Sequence, residues 1–306
     1  MSSSQPVRVE GRTLKLSNLA KVLYPEAGFT KGEVIEYYSR IAPVLLPHVA
    51  SRPLTRKRYP DGVDAEPFFE KNAPVHTPDW VRTEELPSPG SSMGRETLRY
   101  VVLDDLPTLV WCANLAALEL HVPQWRVGPR GGAHDADLLV FDLDPGAPAD
   151  IVACCQVACL LREALARDGF DAWPKTSGRK GLQLYVPVRE AASTRTSAYA
   201  KSLAERLERA HKDLVVSRMD KSLRRGKVFI DWSQNNAAKT TVAPYSLRAA
   251  PAPTVSTPVD WDEVEGCRSP ADLRFESDQV LARVDSRGDL FAPLLERSAH
   301  ARSVPG

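Results

Sequence analysis

Acidic side chains end two apolar stretches of this chain, where they could carry metal chemistry. Asp142 and Asp144 close LLVFDLDPG, and Asp231 closes KVFID. Because residues i and i+2 of a strand point to one face, the first two carboxylates should lie about 7 Å apart on the same side of a sheet. Like charges so close repel unless a cation neutralises them, and hard divalent cations take oxygen ligands of this kind. Three such carboxylates could hold two metal ions about 4 Å apart and clamp the attacking and leaving oxygens of a phosphoryl transfer.

Two other interpretations of the aspartate pair stay open. A D-x-D pair can close a strand as ordinary turn chemistry, without any ligand. It also begins the D-x-D-x-T motif of phosphohydrolases, although Gly146 stands where that motif requires a small hydroxyl or apolar residue. The preceding apolar run and the third acid favour the metal interpretation.

A glycine-rich basic turn, SGRKG at residues 177–181, is the second candidate for chemistry. Its glycines let backbone N–H groups approach an anion, and Arg179 and Lys180 would balance the negative charge. Ser177 begins the turn, and Arg248 lies on another strand-like stretch, KTTVAPYSLR. A polyanionic nucleotide tail that faces two metal ions would use such cations for charge neutralisation. The same pattern also fits an ordinary basic hairpin.

Local clusters suggest nucleic acid as a partner. The runs TRKRYP, with Lys57, and RMDKSLRRGK, with Arg224, are basic, although such runs are usually solvated faces. Phe68 and Phe69 are neighbours in AEPFFEK, so that in an extended chain one ring can enter the core while the other points outward. An exposed ring beside basic residues is a candidate platform for base stacking. Packing against the Pro-rich loops is the alternative.

A helix start offers a further anion site. Thr30 and Glu33 form a T-x-x-E capping box, which predicts that a helix begins near Lys31. Lys31 at that N-terminus, with Lys21 of NLAKVLYP nearby, could bind a terminal phosphate. Ordinary helix capping is the alternative.

The elements that must position these residues alternate from Leu98 onward. Apolar runs predict strands at LRYVVL, LELHVPQW, DLLVFDLDP, AWPKT, LQLYVPV and KVFIDW, and helices over LPTLVWCANLAAL and residues 149–167 and 194–211. Residues 72–95 are rich in Pro, Ser and Gly and predict exposed loops around a short edge element. The last 55 residues or so, with two short helical stretches, should wrap over the surface. This alternation predicts an α+β or mixed α/β fold with one central sheet and a less regular N-terminal half.

The composition excludes several classes of protein. The 306 residues are 43% hydrophobic and can build a sizeable core, while the net charge of +1 gives no overall sign of a nucleic-acid or membrane partner. The five cysteines form no disulfide framework, and a metal shared by Cys155 and Cys159 would lack further ligands. No apolar run reaches the roughly 18 residues of a membrane span, and the N-terminus lacks the apolar region of a signal peptide. We therefore expect a cytoplasmic protein with no membrane partner.

Seven strings, in their order, resemble the polymerase domain of bacterial ligase D, a branch of the archaeo-eukaryotic primase superfamily. They are NLAKVLYP, TRKRYPDGV, FFEKN, LELHVPQW, LLVFDLDPG, KTSGRKGLQLYVPV and KVFIDWSQNNAAKTTVAPYSLR, and the resemblance runs from about Leu14 to Asp289. It implies a primase-polymerase fold with an RRM-like catalytic sheet, antiparallel or mixed, and an irregular N-terminal α/β module. It also implies a single domain over residues 1–306, divided into an N-terminal module (1–97) with DNA contacts, a catalytic core (98–250) and a C-terminal wrap (251–306).

The resemblance implies metal-dependent, template-directed addition of nucleotides, preferentially ribonucleotides, at DNA ends and short gaps during non-homologous end joining. Two Mn²⁺ or Mg²⁺ ions are the implied cofactors. Nucleoside triphosphates and 5′-phosphorylated DNA are the implied partners, with Ku and a separate ATP-dependent DNA ligase as further expected ones. Because no K-x-D-G ligase nucleophile motif occurs in the chain, we expect a free-standing polymerase that associates with the nucleoid.

The resemblance also assigns roles by position. The three acids would bind both metal ions, and an active-site histidine would stand beside them: Asp142, Asp144, Asp231 and His121. The nucleotide would be held by Ser177, Lys180, Gln183, Arg248, Lys57 and Gln234. Lys21 and Lys31 would contact the downstream 5′-phosphate of the DNA. Phe68 and Phe69 would contact the template, and Arg224 would contact the aligned ends. The stretch from Leu86 to Arg95 occupies the place of a loop used in end synapsis, although its sequence differs.

Gln183 departs from the family pattern, which reads G-L-H where this chain has Gly181, Leu182 and Gln183. A neutral amide can donate a hydrogen bond but cannot become cationic or transfer a proton as imidazole can. Loss of a hydrogen bond to a charged group costs about 1.5 to 3 kcal/mol, which predicts slower rather than absent catalysis. Two other functions therefore stay open: a catalytically weakened module that binds or bridges DNA ends, and a metal-dependent phosphohydrolase.

Overall fold

The computed structural model describes residues 4–87, 96–298 and 301–305. Its strands are β1 (Ser4–Val9), β2 (Arg12–Ser17), β3 (Val22–Tyr24), β4 (Phe29–Thr30), β5 (Pro53–Arg58), β6 (Phe68–Glu70), β7 (Thr83–Pro87), β8 (Thr97–Val102), β9 (Ala117–Val122), β10 (Trp125–Val127), β11 (Ala133–Pro145), β12 (Trp173–Thr176), β13 (Leu182–Ala191), β14 (Val215–Val216), β15 (Val228–Asp231) and β16 (Thr241–Val242). Its helices are α1 (Lys31–Val49), α2 (Leu106–Asn114), α3 (Ile151–Arg167), α4 (Ser193–Ala210), α5 (Trp261–Gly266), α6 (Ser277–Arg287) and α7 (Ala292–Ser298).

Two six-stranded sheets form the frame of the molecule. The first has the order β16-β9-β5-β8-β7, with β6 paired to β5, and the second has the order β12-β13-β11-β15-β14, with β10 paired to β11. All these pairs are antiparallel except β14 with β15. The α+β class is thus confirmed, whereas the sequence predicted one central sheet. Strands β5 to β9 have only three to six residues each, too few for a clear period-two pattern.

The expected boundary between residues 97 and 98 falls inside the first sheet. Thr97 begins β8, which pairs with β5 and β7, and β9 also pairs with β5. The first sheet therefore extends through Val122 and takes its last strand, β16, from residues beyond the second sheet. Strand pairing across a long stretch of chain, which local patterns do not reveal, explains the difference.

Side-chain capping fixes the starts of α1 and α3. Thr30 Oγ1 accepts the N–H of Glu33 at 3.3 Å, and a Glu33 carboxylate oxygen accepts the N–H of Thr30 at 2.7 Å, which confirms the predicted start of α1. Helix α3 begins at Ile151 rather than at residue 149, because Asp150 caps it by accepting the N–H of Val152 at 2.9 Å. Helix α4 differs from its predicted range by one residue at each end.

Each sheet has its own apolar core. Helices α1 and α2 pack with the first sheet, and helices α3 and α4 pack with the second. Cys154, Cys155 and Cys267 are buried within the second core, as expected for structural cysteines. Within the described part of the chain, no helix is both long enough and apolar enough to cross a membrane.

The C-terminal segment closes the edge of the second sheet. Thr176 of β12 donates its N–H to Thr257 O at 2.8 Å, and Val259 donates to Pro174 O at 3.1 Å. Farther along, His48 Nε2 lies 2.8 Å from Asp289 Oδ2 and ties this segment to α1. The segment contains three short helices, α5 to α7, where the sequence predicted two.

Candidate active site

Strand pairing in the second sheet brings the acidic residues together. Asp142 on β11 stands directly opposite Asp231 on β15 and, on its other side, opposite Gln183 on β13. Asp144 is two residues along β11, so its side chain lies on the same face. Register therefore gathers three carboxylates that are separated by up to 89 positions in sequence.

Burial and mutual repulsion change the ionisation of Asp142 and Asp144. Burial, together with the charges of Asp144 and Asp231, raises the pKa of Asp142 to about 7, even though Gln183 and Lys175 act in the opposite direction. Burial and Asp231 also raise the pKa of Asp144. A cation bound nearby would stabilise the ionised form of carboxylates whose pKa values are raised in this way.

Asp142, Asp144 and Asp231 carry oxygen atoms of the kind that hard divalent cations take as ligands. Among residues 4–87, 96–298 and 301–305, no three His, Cys, Asp or Glu side chains are already arranged so that they could hold a metal ion. Asp231 is engaged, since its oxygens accept the Ser233 N–H at 3.0 Å and a Gln234 Nε2–H at 2.8 Å. Three clustered carboxylate oxygens are nevertheless the ligands that Mg²⁺ and Mn²⁺ take, so the chemistry of the site, rather than a finished coordination shell, supports metal binding.

The turn between β12 and β13 forms one wall of a cleft. Ser177 Oγ accepts the N–H groups of Arg179 at 3.3 Å and Gly181 at 3.0 Å. Gly178 has φ +71°, and a Cβ there would come within 2.6 Å of Arg248 Cγ. A Cβ at Gly181 would come within 2.2 Å of the Leu143 carbonyl oxygen. Both glycines are therefore needed for the turn to pack against β11 and the Arg248 segment.

The cleft has a volume of about 730 Å³ and unites six of the predicted site residues. Two acids and four of the predicted nucleotide-binding residues line it: Asp142, Asp144, Ser177, Lys180, Gln183 and Arg248. Arg248 Nη1 donates to Ser177 O at 2.6 Å, which fixes this cation against the turn. The cleft thus has carboxylates on one wall and cations on the other, as a metal-bound polyphosphate requires.

Glu119 is a central residue of the site that sequence reasoning missed. Its carboxylate is buried and lies 3.0 Å from His121 Nε2, 3.5 Å from Arg248 Nε and 3.6 Å from Arg179 Nη2. Burial alone would raise the pKa of Glu119, but the His121 hydrogen bond and the charges of Arg248, His121 and Lys57 hold it well below its usual range. The glutamate therefore holds several cations of the site in one cluster. A charged residue inside the apolar string LELHV was its only sequence signal.

His121 and Lys57 connect this cluster with the aromatic pair. The rings of His121 and Phe69 meet edge to face with centroids 5.9 Å apart, and Lys57 Nζ lies 5.3 Å from the Phe69 centroid. Arg58 lies over the Phe68 ring at 5.0 Å. Both rings are exposed, Phe68 by 42% and Phe69 by 61%, so neither of them enters the core. The short strand β6 pairs with β5 in this sheet, and both rings keep a large exposed fraction there.

Lys21 and Lys31 lie together near the start of α1. The backbone N–H of Lys31 donates to Lys21 O at 2.8 Å, and Lys31 Nζ donates to Ser17 Oγ at 3.4 Å. Burial, followed by the charges of Lys21 and Arg58, lowers the pKa of Lys31 to about 8. A buried lysine beside other cations at a helix N-terminus is suited to bind an anion.

Arg224 lies at the end of the second sheet that carries Asp144. Its guanidinium lies 3.7 Å from the Phe229 ring centroid, and Nη2 donates to Met219 O at 2.9 Å. Phe229 is the register partner of Asp144, and the charge of Arg224 opposes the rise in the pKa of Asp144. Residues 88–95, which make up most of the predicted synapsis loop, lie outside the described residues, and Leu86 and Pro87 end β7.

Lys175 is a second residue that sequence reasoning missed. Its side chain is 0% exposed, and Nζ donates to Gln183 Oε1 at 2.6 Å. Gln183 in turn donates through Nε2 to Asp142 Oδ1 at 3.0 Å. Burial and the charge of Arg248 lower the pKa of Lys175 well below its ordinary value, although Asp142 opposes the shift. Gln183 therefore lies between a buried amine and a carboxylate of the acidic cluster.

The two sheets, with an acidic strand pair facing a basic turn across a cleft, place the chain among the primase-polymerases. A family model described as "LigD, primase-polymerase domain" matches residues 30–291. The chain belongs to the LigD primase-polymerase domain family, as the sequence resemblance implied.

Curated relatives agree with this family. The multifunctional non-homologous end joining protein LigD of Mycolicibacterium smegmatis is 46% identical over 282 residues, which cover 92% of this chain and 36% of the relative. The bifunctional non-homologous end joining protein LigD of Bacillus subtilis is 33% identical over 290 residues, which cover 94% of this chain and 44% of the relative. The chain thus spans less than half the length of either relative.

A solved structure confirms the fold. The polymerase domain of Mycobacterium tuberculosis ligase D, determined in complex with DNA, matches with a TM-score of 0.87 and 44% sequence identity. The match covers 92% of this chain and 98% of that chain. The predicted primase-polymerase fold is therefore confirmed over nearly the whole chain.

Proposed function

We propose that this chain is a metal-dependent nucleotidyltransferase that extends DNA 3′ ends at gaps and breaks, with ribonucleotides preferred and Mn²⁺ or Mg²⁺ as cofactor. The observation that carries the proposal is the cleft in which Asp142 and Asp144 face Ser177, Lys180 and Arg248. Membership in a family whose named members act in non-homologous end joining supports DNA repair as the setting.

The chain's own residues have separate tasks in this proposal. Asp142, Asp144 and Asp231 would hold the cations, which when bound stabilise the attacking and leaving oxygens of the transfer. Ser177, Lys180 and Arg248 would bind and orient the triphosphate on the opposite wall. These two groups reach the substrate from different sides, so the reacting phosphate is held between them.

Contacts with DNA would come from the first sheet and α1. Lys31, with Lys21, would bind the 5′-phosphate downstream of a gap, because a cation pair stands there at a helix start. The exposed rings of Phe68 and Phe69 would stack against template bases.

Lys57, 5.3 Å from the Phe69 centroid, and Gln234, hydrogen-bonded to Asp231, would lie near the nucleotide. Arg224 would align two DNA ends, and Ku and a separate ligase would act on the same breaks.

Primer extension tests the proposal directly. The substrate is a duplex with a short gap and a 5′-phosphate, supplied with Mn²⁺ and ribonucleoside or deoxyribonucleoside triphosphates in separate reactions. We expect template-directed addition that is faster with ribonucleotides. Asp142→Asn should abolish it, while Asp135→Asn, an exposed aspartate on the same strand, should not.

Two outcomes would overturn the proposal. Tight binding to the gapped duplex with no product from either nucleotide set would indicate a module that only binds or bridges DNA ends. Release of inorganic phosphate from a simple phosphate ester, without need of a template, would indicate a phosphohydrolase.

A further inference from the structure

Lys175 is fully buried from solvent, yet it lies next to the acidic cluster. Its Nζ lies 2.6 Å from Gln183 Oε1, 2.5 Å from Ser256 Oγ and 5.4 Å from the Tyr185 ring centroid. Burial of an amine is costly unless it is hydrogen-bonded, and a purely apolar side chain would fill the same interior without that cost. A lysine at this position therefore calls for a role in which its hydrogen bonds matter.

The surrounding bonds determine which way the Gln183 amide faces. Ser256 Oγ donates its own proton to Thr176 O at 2.8 Å, so it accepts from Lys175. An ionised carboxylate only accepts hydrogen bonds. The group of Gln183 that faces Asp142 Oδ1, at 3.0 Å, is therefore the NH₂, and the carbonyl oxygen is left to accept from Lys175.

We propose that Lys175 is a positioning residue for Asp142 and that it acts through the side chain of Gln183. Lys175 holds the Gln183 amide in one orientation, and the amide holds Oδ1 of the carboxylate. The second carboxylate oxygen, Oδ2, would then be available to a metal ion. The inference rests on the proposed function, because it takes Asp142 to be a metal ligand.

The arrangement also defines what position 183 must supply. The side chain there needs one acceptor toward Lys175 and one donor toward Asp142. An amide supplies both, and so does a neutral imidazole with its single proton on the nitrogen that faces the carboxylate. Glutamine at this position thus accepts a hydrogen bond from Lys175 and donates one to Asp142, as a neutral histidine would.

A merely structural role for Lys175 is the competing interpretation. Through Ser256, the lysine also ties β12 to the C-terminal segment, and loss of that bond could loosen the edge of the sheet. Such a role would act whether or not Gln183 is present. The two interpretations therefore differ in how the effect of a Lys175 variant depends on residue 183.

A double-mutant cycle separates them. Wild type, Lys175→Met, Gln183→Leu and the double variant are compared for Mn²⁺ affinity, measured by electron paramagnetic resonance of the free ion without nucleotide or DNA, and for kcat on the gapped duplex. Lys175→Met should weaken Mn²⁺ binding and lower kcat by about threefold to tenfold, the effect of one lost hydrogen bond. In the Gln183→Leu background the same change should have almost no effect.

Controls address charge and folding. Lys201→Met removes an exposed lysine from α4 and should leave Mn²⁺ affinity unchanged. Thermal unfolding and binding to the gapped duplex verify that each variant is folded. If Lys175→Met does not fold, the comparison rests on residue 183: Gln183→His should keep Mn²⁺ affinity within about twofold, while Gln183→Leu should lose about threefold to tenfold.

Several results would overturn the inference. These are unchanged Mn²⁺ affinity in Lys175→Met, equal losses in both residue-183 backgrounds, or equal losses in Gln183→His and Gln183→Leu. Its failure is distinguishable from failure of the proposed function. If the wild type is active, Asp142→Asn inactivates it and the double-mutant cycle is additive, only the role of Lys175 is refuted. If the wild type neither binds Mn²⁺ nor forms product, both the role of Lys175 and the proposed function are refuted.

Discussion

Glu119 Oε2 lies 3.0 Å from Nε2 of His121, two residues along the same strand, so a buried carboxylate holds the imidazole of the site in place. The other oxygen of Glu119 accepts the N–H of Ala249 at 3.1 Å and the hydroxyl of Tyr59 at 3.3 Å. One side chain thus joins β9, the residue that follows β5 and the segment that carries Arg248. Arg248 and Arg179 of the cleft both lie within 3.6 Å of this carboxylate, which holds them together.

Glu119→Gln should therefore destabilise the protein. The amide keeps the size of the side chain but removes the charge that several buried donors face, and the expected loss is about 1 to 3 kcal/mol in the free energy of unfolding. Urea unfolding at neutral pH measures it. Glu205→Gln, on the exposed face of α4, is the matched control and should change stability by less than about 0.5 kcal/mol. Equal stability of the two variants would contradict the central role of Glu119.

The stability that Glu119 supplies should depend on pH. Its folded-state pKa lies well below the ordinary value of 4.5, so its contribution is fully present above that value and is lost as the pH falls toward the lowered pKa. The difference in unfolding free energy between wild type and Glu119→Gln should therefore shrink below about pH 5. A difference that stays constant down to the acid-unfolding range would show that the carboxylate is not held ionised.

Recognition of a 5′-phosphate should weaken at alkaline pH. The pKa of Lys31 in the free protein is lowered to about 8, so the lysine is mostly charged at pH 7 and mostly neutral at pH 9. If only the charged form binds, the preference for a gap with a 5′-phosphate over a gap with a 5′-hydroxyl should fall about tenfold between these pH values. Fluorescence anisotropy on the two duplexes measures it. Lys31→Met should lose both the preference and its pH dependence, and a preference in the wild type that does not vary with pH would contradict the assignment.

Phe69→Ala should weaken binding to gapped DNA without affecting the fold. The ring is 61% exposed, so little apolar burial is lost on truncation, whereas stacking of a base on an aromatic ring contributes about 1 to 3 kcal/mol. We expect the dissociation constant for the gapped duplex to rise at least about fivefold while the melting temperature stays unchanged. Val75→Ala, at another exposed apolar residue, should change neither quantity. A stable variant with unchanged affinity would exclude stacking.

Gly178→Ala tests the basic turn. Gly11 and Gly178 both have positive φ, +80° and +71°, so alanine should cost about 1 kcal/mol of backbone strain at either position. Only at Gly178 does the new Cβ also meet Arg248 and the backbone of Ser256, at 2.6 and 2.8 Å. Gly178→Ala should therefore raise the KM for the nucleoside triphosphate, and Gly11→Ala should not. Equal KM values would show that the turn does not bind the triphosphate.

The strands that carry the acids could be predicted from sequence because they are apolar, are buried and end at turn residues. The start of α1 could be predicted because its capping box is local. Glu119 and Lys175 could not, since a charged residue within an apolar strand gives no sign of its partners until register places them. The division into two sheets also depends on pairings between distant strands, such as β16 with β9. The exposure of both Phe68 and Phe69 could not be predicted either, because it depends on which elements pack beside the edge of the sheet.

The C-terminal segment beside β12 determines when, during synthesis of the chain, this side of the cleft can form. Ser256 contacts Lys175 across 81 positions of sequence, and Thr257 and Val259 complete the hydrogen bonding of β12. A ribosome that has synthesised all three aspartates has therefore not yet supplied the groups that close this side of the site. The nascent chain should complete this wall of the cleft only after residues 256–259 have emerged, so that a chain that stops before Ser256 would contain all three aspartates without the segment that closes β12.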